Sequence, residues 1–141
     1  MDLAKKVLEK MINGDAFSKW LGIEVLEITN IICKLKLKVR EEMTNGFKIA
    51  HGGITYSLAD SCLAFAANAD GLQAVSIETS ISHTKKVTSG DTLTASSKQI
   101  NKSSKTALYY ITIINQNNQE VAHFKGTVFR TEKEWFPKNK L

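Results

Sequence analysis

Residues 54–68, ITYSLADSCLAFAAN, decide the fold of this chain. The stretch is rich in alanine and leucine, contains no proline or glycine, and is apolar on nearly every side of a helix. A helix of this composition must be covered on most of its faces, and within one domain a curved sheet provides that cover. The stretch therefore predicts one long buried helix with an antiparallel sheet wrapped around it, an α+β arrangement.

The flanking sequence supplies the strands. Apolar and basic residues alternate over residues 33–40, CKLKLKVR, which predicts a half-buried strand that forms a hairpin with residues 21–28. Downstream, turn residues separate four further predicted strands, which we expect to form one long meander. These strands span residues 73–87, 91–101, 106–115 and 119–130, and the alternating residues of the first are Val75, Ile77, Thr79, Ile81 and His83.

The size and composition of the chain are those of a single globular domain. It has 141 residues, of which 43% are hydrophobic and 23% charged, with only one proline. A short amphipathic helix is predicted over residues 2–13, with Asp2 as its N-cap and Gly14 just beyond its end. We expect one domain over residues 1–141, with its core in residues 17–130 and a loosely ordered tail over residues 131–141.

The chain is basic, with 19 Lys and Arg residues against 14 Asp and Glu residues and a net charge of +5. That surplus suits acidic small molecules, nucleic acid or an anionic surface. The lysines of residues 33–40 have no interleaved aromatic residues, so we expect a solvated strand face and no nucleic-acid partner. No stretch is apolar enough to predict a membrane span or a signal peptide, and we expect a cytoplasmic protein.

Only two cysteines are present, Cys33 and Cys62. They form no CxxC motif and lie in no Cys/His cluster with metal-ligand spacing. We therefore expect neither a disulfide framework nor a metal site.

The start of the buried helix carries the first candidate functional group. Helix N-termini present unpaired N–H groups, and glycine allows a ligand to approach the backbone closely. Gly52 and Gly53, which follow His51, could thus hold an oxygen that gains negative charge, or they could simply permit tight entry into the helix.

The second candidate group is Asp60, in the middle of the same helix. It is the only carboxylate among apolar neighbours in LADSCLAFAA, and a buried carboxylate needs partners or a cavity. It could act as a perturbed acid beside the helix end, or it could cap a neighbouring loop.

The spacing of these two groups predicts an assembly. Gly52 and Asp60 are eight residues apart, which corresponds to about 12 Å of rise and roughly 80° of rotation along an α-helix. One helix cannot bring both groups to the same carbonyl. If both are catalytic, a second copy of the chain must complete each site, and a symmetric dimer with two equivalent sites satisfies this requirement.

Two longer runs carry a family resemblance. NGFKIAHGGITYSLADSCLAFAAN (residues 45–68) and AVSIETSISHTKKVTSGDTLTASS (residues 74–97) resemble the PaaI-like group of hotdog-fold acyl-CoA thioesterases, and the likeness extends over residues 17–130. The resemblance implies a hotdog fold, a homodimer that often pairs into a dimer of dimers, and an acyl-CoA substrate. Coenzyme A is then part of the substrate, and no separate cofactor is expected.

The resemblance also implies roles for individual residues. Asp60 matches a nucleophile or general base, and the Gly52 N–H matches the group that polarises the thioester carbonyl. His51 and Asn45 match residues that orient the thioester or the water, and Ser76 matches a serine that assists the water in some members. Candidates for lining the substrate pocket on the helix are Ser57, Ser61 and Phe65.

The sequence departs from the family pattern in two loops. His83-Thr84-Lys85-Lys86-Val87 replaces a frequent Arg-Pro pair, and Ser103-Ser104 replaces a usual glycine. The lysines near these loops could bind coenzyme A phosphates as point charges, or they could be solvated turn residues. These lysines are Lys85, Lys86, Lys102 and Lys105. We expect structural positions for His83 and His123 and assign them no role.

Two other functions are compatible with the same fold. A hotdog dehydratase pairs an acid with a histidine, but the characteristic spacing on the central helix is absent here. A non-catalytic acyl-CoA sensor would gain nothing from the buried carboxylate of Asp60. The acyl group, and an acyl carrier protein as the alternative thiol carrier, are left open by the sequence.

Overall fold

The computed structural model describes residues 2–138. It contains helices α1 (Leu3–Asn13), α2 (Ala16–Leu21) and α3 (Gly52–Asn68), and a 3₁₀ turn at Glu41–Met43. The strands are β1 (Glu24–Ile28), β2 (Cys33–Lys38), β3 (Leu72–His83), β4 (Thr92–Lys102), β5 (Thr106–Ile114) and β6 (Glu120–Glu134).

The six strands form one antiparallel sheet in the order β1-β2-β4-β5-β6-β3. Helix α3 packs against five of these strands, β2 to β6, so the sheet surrounds it. Leu58, Ala59, Cys62 and Leu63 of α3 are fully buried in the common core. The predicted α+β arrangement of a sheet around one long helix is confirmed.

The predicted meander is only partly correct. Strands β4, β5 and β6 follow one another in the sheet, but β3 lies beyond β6 at the sheet edge and pairs antiparallel with it. Residues 84–91 therefore carry the chain back past β6 and β5 to β4. Within residues 2–138, no strand pairs with the outer edge of β3.

A β-bulge in β3 changes which residues face α3. The register with β6 shifts between Ser76 and Glu78, so Ile77 is the extra residue. A bulge reverses the alternation of side chains along the strand. Thr79, Ile81 and His83 face the helix as predicted, whereas Val75 and Ile77 are 58% and 59% exposed. Ser76 lies on the helix side in their place.

The close approach of α3 to the sheet depends on a glycine in β6. A Cβ atom at Gly126 would lie 2.5 Å from Leu63 Cδ2 and 3.1 Å from the Phe124 ring. Because Gly126 has no side chain, Leu63 can contact the sheet at this position. Gly126 thus sets how close the helix that carries the candidate site lies to its covering strands.

The C-terminal segment is more ordered than expected. Strand β6 continues to Glu134, four residues into the predicted loose tail, because Thr131 Oγ1 donates to the Gln73 carbonyl across the β3–β6 pair. Trp135 then donates from its backbone N–H to the Gly71 carbonyl and from Nε1 to the Asn68 side chain, at 2.9 and 2.8 Å. The last three residues of the predicted tail, 139–141, lie outside the described residues.

The N-terminal region adds one helix to the prediction. Asp2 caps α1 by accepting the Lys5 N–H, and Gly14 follows its end, as predicted. The six-residue α2 was not predicted, although Asp15 caps its start and Gly22 ends it with a φ of 76°. Arg40 donates to the Trp20 and Leu21 carbonyls at the end of α2, which explains why this basic residue does not lie on the lysine face of β2.

The structure also bears on two expectations from the sequence, one about the cysteines and one about membrane spans. Cys33 and Cys62 are buried free thiols. None of the helices in residues 2–138 has the length and apolarity needed to cross a bilayer.

Candidate active site

The N-terminus of α3 opens into a cavity of about 430 Å³, which we call the Gly52 cavity. It lies between the loop before α3, the first turn of α3 and the segment that follows β3. Its lining residues are Asn45, Ile49, Ala50, Gly52, Thr55, His83, Thr84, Lys85, Lys86 and Val87. The structure therefore brings together Asn45, Gly52, Lys85 and Lys86, four of the predicted site residues.

The first residue of α3 has an unpaired backbone donor. His51 is the N-cap, its Nδ1 accepts the Gly53 N–H at 2.9 Å, and its carbonyl accepts the Ile54 N–H at 2.9 Å. No acceptor within residues 2–138 pairs with the Gly52 N–H. An unpaired N–H at the positive end of a helix is a donor for a negatively charged oxygen. Because His51 Nδ1 accepts, the proton of a neutral His51 ring is on Nε2.

Asn45 is fixed by the loop that it begins. Its Oδ1 accepts the Phe47 N–H at 2.9 Å and the Ile49 N–H at 3.4 Å, while its backbone N–H donates to the Ile49 carbonyl. The side-chain amide group is thereby left as a donor on the wall of the Gly52 cavity. Donors from Asn45 and Gly52 and positive charges from two lysines favour an oxygen-rich, anionic ligand here.

Asp60 lies in a second, smaller cavity of about 250 Å³, which we call the Asp60 cavity. The other lining residues are Leu63, Ala64, Ala74, Val75, Ser76 and Val128, so Ser76 is the one polar side chain beside the carboxylate. No hydrogen bond to the Asp60 carboxylate occurs within residues 2–138. Burial raises the pKa of Asp60 above its ordinary value, and the negative charge of Asp15 raises it further.

Asp15 belongs to a hydrogen-bonded chain that ends beside Asp60. Its Oδ2 accepts from the Ser18 hydroxyl at 2.6 Å, and Ser18 Oγ lies 2.8 Å from Ser61 Oγ. Ser18 is buried at the contact between α2 and α3. Ser61, a predicted pocket residue, is therefore held by α2, and it neighbours Asp60 in sequence.

The other two predicted pocket residues on α3 occupy different environments. Phe65 is 2% exposed and lies in the hydrophobic core, so the structure places it away from both cavities. It was placed in the pocket because helix position alone does not reveal which face the sheet covers. Ser57 is half-buried and lines neither cavity.

Lys102 and His83 make contacts that differ from those expected from the sequence. Lys102 pairs with Asp70 at 2.6 Å, which neutralises it as a ligand for phosphate. His83, for which no role was expected, lies in the Gly52 cavity with Nε2 2.7 Å from Thr55 Oγ1. The alternation along β3 placed His83 on the helix face, but no sequence signal linked it to Thr55.

Gly52 and Asp60 occupy separate cavities on the same helix. Since α3 is a regular α-helix over both residues, their eight-residue separation corresponds to about 12 Å along its axis. One chain therefore presents an anion-binding helix end and a perturbed carboxylate that do not meet. Within residues 2–138 no three His, Cys, Asp or Glu side chains group as a metal site.

The fold and these two cavities define a known class of protein. The profile of the thioesterase superfamily matches residues 47–122, which include Gly52 and Asp60, and the chain belongs to this superfamily. The hotdog fold implied by the sequence resemblance is confirmed.

Individual relatives agree with this assignment. Acyl-coenzyme A thioesterase PaaI of Escherichia coli K12 is 36% identical over 120 residues, covering 85% of this chain and 86% of the relative. The solved structure of Escherichia coli PaaI, from the phenylacetic acid degradation operon, matches with a TM-score of 0.89 and 33% identity over 93% of this chain and 95% of that one. A Streptococcus mutans UA159 protein solved bound to acetyl-CoA matches with a TM-score of 0.77 and 27% identity, over 79% and 90% of the two chains.

Proposed function

We propose that this protein hydrolyses acyl-CoA thioesters to a free acid and coenzyme A, at sites shared between two copies of the chain. The observation that carries the proposal is the free Gly52 N–H at the N-terminus of α3. The Gly53 and Ile54 N–H groups that follow it are paired with His51, so the Gly52 N–H is held in place while it has no acceptor of its own. The acyl-CoA thioesterase named among the relatives supports the same reaction.

The Gly52 N–H receives the oxygen of the thioester carbonyl. As the carbonyl carbon becomes tetrahedral, negative charge develops on that oxygen, and a preorganised donor at a helix N-terminus stabilises it. His51 fixes the Gly53 N–H beside it, and the Asn45 amide group orients the thioester or the water from the cavity wall.

Asp60 supplies the second group, by one of two routes. As a base, its carboxylate takes a proton from water, the hydroxide adds to the carbonyl carbon, and the C–S bond breaks to release the thiolate. As a nucleophile, it adds to the carbonyl carbon itself, the thiolate leaves, and water hydrolyses the resulting anhydride. Ser76, which shares the cavity of Asp60, is placed to hold the water in either route.

The shared site requires a homodimer. The Gly52 cavity of one subunit lacks a carboxylate, and the Asp60 cavity lacks the anion-binding helix end. Strand β3, which lines the Asp60 cavity, has an unpaired outer edge and two half-exposed apolar residues, Val75 and Ile77. Unpaired strand edges with apolar side chains favour association with another chain. We also propose that two such dimers pair into a tetramer.

The two ends of the substrate meet different chemistry. Lys85 and Lys86 on the Gly52 cavity bind the phosphates of coenzyme A, and the apolar wall of the Asp60 cavity receives the acyl group. Beyond the substrate, the proposed reaction uses no cofactor or metal ion.

The proposal is tested with a panel of aromatic and medium-chain acyl-CoAs, following thiol release with a chromogenic disulfide. We expect turnover of at least one member. Stoichiometric binding of these compounds without thiol release would instead indicate an acyl-CoA sensor.

The role of the two lysines is tested by comparing substrates. The variant with Lys85→Ala and Lys86→Ala is expected to raise KM for an acyl-CoA by about tenfold, since two phosphate contacts are lost. KM for the corresponding acyl-pantetheine, which has no phosphate, should not change. Lys36→Ala, on the solvent face of β2, is the matched control.

The two routes for Asp60 are separated by a single turnover in ¹⁸O-labelled water. Direct attack by water puts the label in the first acid product. Attack of water on the Asp60 carbonyl of an anhydride puts the label in the enzyme carboxylate.

A further inference from the structure

His83 makes a polar contact that reaches the backbone of Gly52. Its Nε2 lies 2.7 Å from Thr55 Oγ1, and the Thr55 hydroxyl donates to the Gly52 carbonyl at 3.1 Å. A threonine hydroxyl has one proton to donate. When that proton goes to the Gly52 carbonyl, the bond from the ring is an Nε2–H donated to Thr55.

The ring also lies directly against Gly52. A Cβ atom at this position would be 3.3 Å from His83 Cε1 and 3.6 Å from Nε2. The absence of a side chain at Gly52 therefore allows the imidazole to reach the first turn of α3. The same residue whose N–H faces the cavity is thus in contact with His83 at its α-carbon.

Two histidines hold the Gly52–Gly53 peptide from its two ends. Its carbonyl accepts from Thr55, which His83 holds in turn, and its N–H donates to His51 Nδ1. The preceding peptide is anchored by the Ile54 N–H, which donates to the His51 carbonyl. The direction of the unpaired Gly52 N–H is consequently set by these fixed neighbours.

We propose that His83 is a positioning residue that orients the Gly52 N–H through Thr55. The inference rests on the proposed function, in which this N–H stabilises the oxyanion. An oxyanion donor acts only when aimed at the developing charge, so a small rotation of the peptide lowers kcat more than it changes substrate binding.

A purely structural role fits the position of His83 poorly. The residue is exposed at the end of an edge strand, so little packing depends on it. Thr55, in contrast, is 2% exposed, and its only side-chain hydrogen bonds within residues 2–138 are those to His83 and Gly52. The contact between His83 and Thr55 therefore acts on the first turn of α3.

Three variants test the link, each measured as a pure protein with the acyl-CoA on which the wild type is most active. His83→Leu removes the donor and is expected to lower kcat by about tenfold or more, with KM within about twofold of the wild type. His83→Gln retains an amide donor and should recover most of kcat. Thr55→Val breaks the same chain from the other side and should match His83→Leu.

The combined variant and a control sharpen the result. If His83 acts through Thr55, the variant carrying both His83→Leu and Thr55→Val is no slower than either alone. His123→Leu, an exposed histidine on the outer face of the sheet, should keep full activity. Thermal unfolding of each variant shows whether the fold is retained, and Thr55→Val provides the test should His83→Leu not fold.

Normal kcat in folded His83→Leu, no recovery in His83→Gln, or losses that multiply in the combined variant would each overturn the inference. Asp60→Asn is measured in parallel to separate the two proposals. Hydrolysis by Asp60→Asn at the wild-type rate defeats the proposed function itself. An inactive Asp60→Asn with a fully active His83→Leu defeats only the role of His83.

Discussion

Two aspartates, one in the middle of α3 and one just beyond its end, have opposite pKa shifts. Asp70, just beyond α3, pairs with Lys102 and Arg130 and accepts the Leu72 N–H. Burial alone would raise the pKa of Asp70, but its bonds to Lys102, Leu72 and Arg130 and the charge of Lys102 lower it. Asp60, ten residues earlier, has no such partners, and burial together with Asp15 raises its pKa.

The difference separates a carboxylate that stabilises the fold from one that takes part in the reaction under the proposed function. Asp70 connects the end of α3 to the β4–β5 hairpin and to β6, so its charge contributes to the folded state. Asp60 is held half-buried among apolar residues at a cost to stability, and such groups are concentrated at functional sites. Removing each charge should therefore affect different properties of the protein.

The largest expected effect is on turnover. Asp60→Asn should lower kcat for acyl-CoA hydrolysis by about a thousandfold or more, because the amide neither accepts the water proton nor attacks the carbonyl. Asp70→Asn, the matched control, should stay within about twofold of the wild type. Thiol release at saturating substrate measures both, and equal losses in the two variants would show that the distinction is wrong.

A side chain added at Gly52 is expected to lower activity, although this residue is only partly buried. Gly52→Ala should lower kcat by about ten- to a hundredfold, because the new Cβ lies 3.3 Å from His83 Cε1 and narrows the cavity at the oxyanion donor. Gly53→Ala is the comparison within the same turn, where the new Cβ lies 3.1 Å from His51 Nδ1, a closer contact but one that does not involve His83. A Gly52→Ala enzyme with unchanged kcat and a larger loss in Gly53→Ala would place the donor elsewhere.

When the free energy of unfolding is compared, Asp70→Asn should show the larger loss of stability. Because the pKa of Asp70 is lowered on folding, its contribution is present above the ordinary value of 3.8 and is lost as the pH falls through the folded pKa. Asp70→Asn should cost about 1 kcal/mol of unfolding free energy at pH 7, the scale of partly exposed ion pairs, and less at acidic pH. Denaturant unfolding at several pH values measures this, and a pH-independent difference would contradict the assignment.

For Asp60 the pH dependence of the contribution to stability has the opposite sign. A raised pKa favours the protonated form in the folded state, so Asp60 lowers stability once the pH rises above its unfolded pKa. Asp60→Asn should therefore be as stable as the wild type or slightly more stable at pH 7, with a midpoint increase of about 2 °C. Thermal unfolding at pH 7 tests this, and a clear loss of stability there would mean that the carboxylate has a structural partner.

The smallest expected effect is a shift in the acidic limb of the pH–rate profile. In the proposed function, activity requires ionised Asp60, so kcat/KM falls as the pH drops through its raised pKa. Asp15→Asn removes the second cause of that increase in pKa and should move the limb to lower pH, while asparagine still caps α2. A limb that does not move, or moves to higher pH, would exclude Asp15 as a neighbour of the catalytic carboxylate.

The sequence predicted what depends on local composition. The apolar run of α3 predicted a buried helix, and its one carboxylate predicted Asp60 as a group in need of explanation, because both follow from residues adjacent in the chain. The alternation in residues 33–37 likewise predicted the buried face of β2. The strands of the sheet were found, with boundaries a few residues from those observed.

Features that depend on register between distant segments were not predictable. The place of β3 beside β6, and the bulge at Ile77 that brings Ser76 to the helix side, follow from pairing between segments that are distant in the chain, such as Ser76 with Val128 and Glu78 with Thr127. His83 was set aside because its partner, Thr55, lies 28 positions earlier and belongs to another element. The burial of Phe65 in the hydrophobic core likewise depends on packing against other elements, which its position in the helix does not reveal.

The central claim is that Gly52 of one subunit works with Asp60 of another, and subunit mixing tests it most directly. Chains carrying only Gly52→Val and chains carrying only Asp60→Asn, each inactive alone, are combined under distinct tags and assayed for thiol release. Random pairing puts one intact site in each mixed dimer, so the account predicts recovery of about a quarter of wild-type activity. Isolated mixed dimers that remain inactive, while wild-type chains treated identically recover fully, would show that no site is shared and would contradict the account.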